Sequence, residues 1–239
     1  MTEILKISSL TGGYVPGLKI LRGVDLALRQ GETMGIIGLN GSGKSTLGKA
    51  VMNMIPWRQG VITFEGKNIM DMSTSSLAQS GISIMQQGGQ VFKELSVWEN
   101  LQIAFGRIKD KSYKDELAAV IPLLAMPEKE LRSKMADKLS GGQRHQLALA
   151  MTLAQRPRLL ILDEPSAGLS PKSVEKMYDL LRIIREKFDV TIILVEQNIN
   201  KALQFCDRCI LISQGKVQEQ FDINNESVAR NIVAKKLGI

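Results

Sequence analysis

Histidine occurs once and cysteine only twice in these 239 residues. That scarcity removes most of the metal and thiol chemistry a chain of this length could carry. The cysteines stand as Cys206-Asp207-Arg208-Cys209, a C-x-x-C pair that has to be weighed. A zinc site needs two further ligands, and the sole histidine, His145, is distant in sequence. Thiol redox chemistry favours a pair at a helix N-terminus. Here the pair follows a helix-like segment and leads into the apolar run Ile210–Ile212. Both are read as reduced, largely buried cysteines. Apolar runs are short as well. None approaches the roughly 18 residues that cross a bilayer. The N-terminus, MTEILKISSL, lacks a basic region followed by a cleavable apolar stretch, so a secretory signal is not expected and the reading is cytosolic. No long basic run exists either, although the net charge is +7. Between Lys93 and Arg158, 12 Lys/Arg face 8 Asp/Glu, a net of +4 with the signs interspersed. Without aromatic interleaving this reads as a solvated helical surface, and no nucleic-acid partner is expected.

What remains is ordinary for a soluble globular protein: 44% apolar and 23% charged residues. The length suits one large α/β domain, or one domain with a subdomain inserted. The informative stretch is Gly38–Thr46, GLNGSGKST, which contains G-x-x-x-x-G-K-[ST]. Its glycines let the backbone turn tightly and bring N–H groups against phosphate oxygens. The following helix points its positive end at the same anion. Lys44 is placed to reach β- and γ-phosphates, and the Ser45 hydroxyl to bind Mg²⁺. Context supports the match. Thr33–Ile37 (TMGII) predicts a strand before the loop, and Ser45–Met54 a helix after it, ended before Pro56.

Along the chain, Ile4–Ser8 and Val24–Leu28 alternate apolar and polar residues and predict half-buried strands. A turn-rich loop, Thr11–Leu18, is expected between them, carrying Tyr14. Val61–Phe64 predicts another strand, as does Gly81–Met85, which runs into the polar break Gln86–Gln90. From Val97 to Leu131 the pattern turns helical. Asn100, Leu101, Ala104 and Ile108 could share one face, and Leu117, Val120, Ile121 and Leu124 another. Leu139–Gln143, LSGGQ, precedes a helix over Arg144–Ala154. Leu159–Glu164, LLILDE, reads as a central parallel strand ending in two carboxylates, where open α/β sheets place their ligands. Ser170-Pro171 opens the next helix as N-cap and N1. Val190–Val195 is a second buried strand, ending at Glu196-Gln197-Asn198. Cys209–Ser213 and Lys216–Gln220 bracket a hairpin turn at Gln214-Gly215. Ser227–Leu237 predicts a closing amphipathic helix.

GLNGSGKS, LSGGQ and LLILDE, in this order and spacing, resemble the ATP-binding cassette (ABC) family. The resemblance covers essentially the whole chain. It implies a P-loop NTPase core with a mixed sheet, a small antiparallel β subdomain and an inserted helical subdomain. Residues 1–92 and 156–239 would form the core, and 93–155 the helical insertion. It also implies ATP and Mg²⁺ as ligands. Gly38, Leu39, Asn40, Gly41, Ser42, Gly43, Lys44, Ser45 and Thr46 would hold the triphosphate. Tyr14 matches the aromatic that stacks on adenine; the other reading is a core tyrosine. Asp163 would support Mg²⁺, and Glu164 would polarise the attacking water as general base; the alternative for Glu164 is a salt-bridged surface carboxylate. Gln87 matches the glutamine that senses Mg²⁺ and water and couples to the membrane subunit, with Gln86 one register away. Ser140, Gly141, Gly142 and Gln143 resemble the signature turn, which in the family acts on ATP held by the other protomer.

Two positions depart from the family pattern. The switch position, normally histidine, is Gln197, which can hydrogen-bond a γ-phosphate but cannot take up a proton at neutral pH. His145 lies beside the signature and is read as a solvated helix residue. The loop Ala167-Gly168-Leu169-Ser170 carries serine where aspartate is usual. VEQN at Val195–Asn198 and MQQGGQVFKELSVWENL from Met85 look like the ATPases of branched-chain and hydrophobic amino-acid importers, with the urea and amide importers close by. The resemblance therefore implies an ATPase subunit working as a dimer with an identical or related cassette. Integral membrane permease subunits would be its partners and a solute-binding protein an indirect one. Its place would be peripheral, on the cytoplasmic side of the inner membrane. The competing classes are a non-transport ABC ATPase of translation or DNA repair and a silent binding module. One signature without sustained heptads argues against the first, and the intact Lys44, Asp163 and Glu164 argue against the second.

Overall fold

The computed structural model describes residues 2–105, 121–124, 126–223 and 226–237. Two sheets organise them. The smaller is antiparallel, ordered β2-β1-β4-β5, from β1 (Glu3–Gly13), β2 (Leu21–Arg29), β4 (Trp57–Phe64) and β5 (Lys67–Asn68). The larger has six strands in the order β10-β9-β3-β8-β7-β6. Here β3 is Thr33–Ile37, β6 Ile82–Met85, β7 Leu159–Asp163 and β8 Thr191–Val195. The set is completed by β9 (Arg208–Ser213) and β10 (Lys216–Asp222). The pairs β6·β7, β7·β8, β8·β3 and β3·β9 are parallel, and only β10 runs antiparallel, on the edge.

The continuous apolar runs of β3, β7 and β8 follow from burial on both faces. Successive residues feed two separate cores. Ile36, Ile161, Ile193 and Val195 pack toward the small sheet and helix α1 (Lys44–Val51), with Leu47, Ala50 and Val51. Ile37, Leu160, Leu162, Ile192 and Leu194 face the other way. They meet α3 (Val97–Phe105), α5 (Gly141–Leu153), α6 (Pro171–Phe188) and α7 (Ile199–Phe205) through Leu101, Leu147, Leu181 and Leu203. Short helices α2 (Thr74–Gln79) and α4 (Glu128–Ser133) and the final α8 (Glu226–Leu237) complete the described set. Of the helical faces expected between Val97 and Leu131, Asn100, Leu101 and Ala104 do share the buried side of α3. Ile108, Leu117 and Val120 lie outside the described residues.

Several boundaries move for identifiable reasons. Thr11–Gly13 belong to β1 instead of a loop, because Gly12 and Gly13 keep pairing with Arg58 and Trp57. Gly13 is required there, since a Cβ would lie 2.3 Å from the Leu18 carbonyl oxygen. Helix α1 stops at Val51, three residues short of the expected end, as Asn53 turns to φ 53°. The hairpin turn is confirmed: Gln214 and Gly215 both have positive φ, 48° and 76°, the backbone that a two-residue connection of right-twisted strands requires.

Candidate active site

Every chemistry-bearing element of the large sheet ends at one edge, because β3, β7 and β8 are parallel neighbours. Their C-terminal ends deliver the Gly38–Lys44 loop, Asp163-Glu164 and Glu196-Gln197 side by side. This is the end of an open α/β sheet at which ligands bind. An open cavity of about 260 Å³ lies there, walled by Asn40–Thr46 together with Gln87, Glu164 and Gln197.

The loop is shaped by backbone that other residues would not tolerate. Gly38 has φ 151°, and a Cβ on it would come within 2.2 Å of the Ile212 carbonyl oxygen. The Gly43 cap of α1 sits at φ 105°. Lys44 is 4% exposed, and its ammonium donates to the carbonyls of Gly38 at 2.9 Å and Leu39 at 3.0 Å. Burial pushes its pKa below the ordinary lysine value, against the pull of Glu164, Asp163 and Glu196. The cation is thus folded back over its own glycine-rich loop at the cavity wall, the kind of loop that can cradle polyphosphate.

Behind the loop stands a support that sequence reasoning missed. Gly215 of the β9–β10 turn donates its N–H to the Ser42 carbonyl at 2.9 Å, and Arg22 donates to the Gly215 carbonyl at 2.9 Å. Ile20, between the first two strands, also lines the cavity. No local pattern links these positions to the P-loop. Tyr14 is 45% exposed at the end of β1, so it is not a core tyrosine, and it stands outside the cavity wall that Ile20 joins. Trp57 holds the loop beside it through Nε1 to the Val15 carbonyl at 2.7 Å.

Asp163 is 2% exposed and accepts from the Ser45 hydroxyl at 2.7 Å. Desolvation raises its pKa, with the Ser45 hydrogen bond opposing. Glu164 is buried too, at 5% exposure, and has the uncommon left-handed φ of 50°. Its two oxygens are clamped from opposite sides. Gln87 Nε2 donates to Oε2 at 2.9 Å, and Gln197 Nε2 donates to Oε1 at 2.8 Å. The surface-carboxylate alternative for Glu164 is therefore excluded. The glutamine in reach is Gln87, whereas Gln86 lines a separate groove with Gln90, Ile103 and Met151.

The signature residues lie elsewhere. Ser140 caps α5: its Oγ accepts from the Gln143 N–H at 3.2 Å, and the Gln143 side chain accepts from the Ser140 N–H at 3.2 Å. Ser140 and Gly141 are exposed, and Gly142 packs on Ser173, whose Oγ a Cβ would meet at 3.0 Å. None of the four lines the P-loop cavity.

His145 corrects an expectation. It is 5% exposed instead of solvated, with Nδ1 2.9 Å from the Gly141 carbonyl oxygen. The Gln86–Gln90 segment presses on it: a Cβ on Gly89 would lie 3.0 Å from the His145 Cα. The cysteines are free and buried as expected. Both sulfurs abut Gly35 of β3, where a Cβ would sit 2.5 Å from Cys209 Sγ and 3.1 Å from Cys206 Sγ. Among the described residues no three His, Cys, Asp or Glu side chains gather as a metal cage. The oxygen donors of Ser45, Asp163 and Gln87 instead suit a hard cation that brings ligands of its own, such as Mg²⁺ with phosphate.

Comparison with known proteins agrees with this geometry. A family model described as ABC transporter matches residues 21–167, more than half of the chain. The chain is 35% identical over 215 residues to a probable branched-chain amino acid transport ATP-binding protein of Archaeoglobus fulgidus, covering 90% of each. It is 33% identical over 205 residues to a high-affinity branched-chain amino acid transport ATP-binding protein of Pseudomonas aeruginosa, covering 85% of this chain and 87% of that one. The solved structure of cbiO1 from Clostridium perfringens, part of an ABC transporter complex, superposes with a TM-score of 0.83 at 29% identity, over 99% of this chain and 94% of that one. With its P-loop, paired carboxylates and signature turn in these places, the chain belongs to the ABC transporter family, as an ATP-binding subunit that hydrolyses ATP.

Proposed function

We propose that this ATPase powers import of branched-chain or related hydrophobic amino acids through a separate membrane permease. The phosphates of ATP lie along Gly38–Thr46, with Lys44 turned from its loop carbonyls to the β- and γ-phosphates. Ser45, Asp163 and Gln87 would hold Mg²⁺, which would neutralise phosphate charge when bound. Glu164 takes the proton of the attacking water. Each of its oxygens already accepts one amide N–H yet keeps a lone pair for that water. Gln197 spends one amide hydrogen on Glu164 and has a second for a γ-phosphate oxygen. The exposed Tyr14 ring would stack on adenine.

The carrying observation is the separation of Ser140–Gln143 from the P-loop cavity within one chain. A second cassette, identical or related, supplies its signature turn to this chain's ATP. The described helices α3, α4 and α5 then move with the partner's nucleotide. A groove of about 410 Å³ between α3, α5 and β6, with Gln86, Gln90 and the 49%-exposed Ile103 on its walls, accepts a permease helix. Among the described residues no helix is long and apolar enough to cross a membrane, in keeping with a subunit bound peripherally to the cytoplasmic face of its permease.

The solute class rests on the named relatives and on VEQN at Val195–Asn198; a urea or amide importer is the second reading on the same residues. Purification from native membranes tests the whole reading. A hydrophobic permease should co-purify, and a solute-binding protein encoded with it should bind leucine, isoleucine or valine. Recovery of the chain with ribosomes or DNA and no permease would overturn it.

A further inference from the structure

Immediately before Gln197 stands Glu196, a charged residue after an apolar run that the sequence leaves without a role. It is 2% exposed. Its carboxylate gathers four donors from three parts of the chain. Oε1 accepts the backbone N–H of Gln197 at 2.9 Å and of Asn198 at 3.0 Å. Oε2 accepts the Ser166 hydroxyl at 2.8 Å and the Tyr178 hydroxyl at 3.0 Å. Ser166 lies two residues beyond Glu164, and the Gln197 amide returns to Glu164 at 2.8 Å. The contacts therefore close a ring: Glu164, Gln197, Glu196, Ser166 and back along the chain to Glu164.

We propose that Glu196 is a positioning residue for ATP hydrolysis, holding the Gln197 amide on Glu164 and locking that turn to the loop that follows Glu164. The assignment rests on the roles given above to Glu164 and Gln197. Glu196 does not touch the cavity, and it acts through Gln197. A ring of this kind makes the two positions move together. If the 165–170 loop shifts, Ser166 pulls on Oε2, and the backbone of Gln197 follows through Oε1. An amide at position 196 can replace the carboxylate, because its carbonyl accepts the two backbone N–H groups while its NH₂ donates to the two hydroxyls, which reverse their roles. A methyl group can do neither.

Steady-state ATP turnover of the full chain, with melting temperature measured alongside, tests this. Glu196→Ala is expected to lower kcat about tenfold with KM for ATP within about twofold, and Glu196→Gln to recover most of the turnover. Placed in a Gln197→Ala background, Glu196→Ala should add no more than about a twofold loss, because both changes break one linkage. Losses that multiply in the double variant, or a rise in KM at constant kcat, would overturn the positioning role while leaving Gln197 in place. Unaltered kcat in Gln197→Ala alone would remove both the role of Gln197 and this proposal. Should Glu196→Ala fail to fold, Ser166→Ala decides: a loss of about threefold in kcat at unchanged KM is expected, and full activity would refute the ring.

Discussion

The carboxylate proposed as the general base is an unusual residue in its own chain. Glu164 is buried, its backbone is left-handed, and two exposed glutamines from loops 110 residues apart in sequence meet on it. Left-handed backbone at a non-glycine residue costs on the order of 1 kcal/mol. It persists here because the Glu164 N–H is fixed to the Val195 carbonyl at 2.9 Å and its carboxylate to Gln87 and Gln197. Tyr178 shows how burial at this scale becomes pH dependence. Desolvation, with the charge of Glu196 added, pushes its phenol far above the ordinary tyrosine range, so the folded protein keeps it protonated. The unfolded chain releases that proton near pH 10. Its contribution to stability is therefore full below about pH 10 and lost as the pH climbs beyond it. Chemical denaturation of Tyr178→Phe should show a loss of about 1 kcal/mol at neutral pH and a shallower fall in stability above pH 10 than the native protein. An equal alkaline slope in both proteins would mean that another group governs it.

Among the elements, the P-loop depends on a hairpin far away in sequence. Gly215 touches the loop through Ser42, and a Cβ on it would lie 1.8 Å from the Ile20 carbonyl oxygen. Gly215→Ala must therefore displace the β9–β10 turn, the segment at Ile20, or both. We expect KM for ATP to rise several-fold while kcat changes less, since the turn shapes the phosphate cradle and not the position of Glu164. An unaltered KM would show that the turn bends away without moving Ser42. The signature helix α5 tells the complementary story. The sequence predicts it from Arg144, but the structure starts it at Gly141, where Ser140 and Gln143 close a capping box. The burial of His145 was not visible, because the Gln86–Gln90 segment that covers it packs through Gly89, 56 residues away in sequence. The register of the glutamine was settled in the same way: Gln86 and Gln87 are equivalent locally, and only the fold aims one at Glu164.

At the scale of the whole molecule, the six-stranded sheet separates two cores and brings one set of strand ends to the P-loop cavity. A single chain of 26.4 kDa presents its P-loop and its signature turn as separate surfaces. Removing the base without changing the shape of the site should leave ATP bound and unspent. Glu164→Gln is expected to cut turnover by a factor on the order of 10² to 10⁴ and, with ATP, to yield a species of twice the monomer mass by light scattering. Normal turnover in this variant would remove Glu164 from its role; slow turnover without dimer would place the completing signature in a different chain.

The sequence by itself determined what is local. The spacing of Gly38, Gly43, Lys44 and Ser45, the apolar runs of β3, β7 and β8, the Ser170 cap and the Gln214-Gly215 turn depend on neighbours within a few residues, so their physics can be read along the chain. The tertiary structure alone decided which ends meet. Strand order β3-β8-β7 places Gln197 beside Glu164 and buries Glu196 under Ser166 and Tyr178. Those contacts span 18 to 33 residues in sequence, and the one from Gln87 to Glu164 spans 77. Hydrogen bonds of that reach are fixed by sheet pairing and core packing, which the residues express together and no short stretch contains.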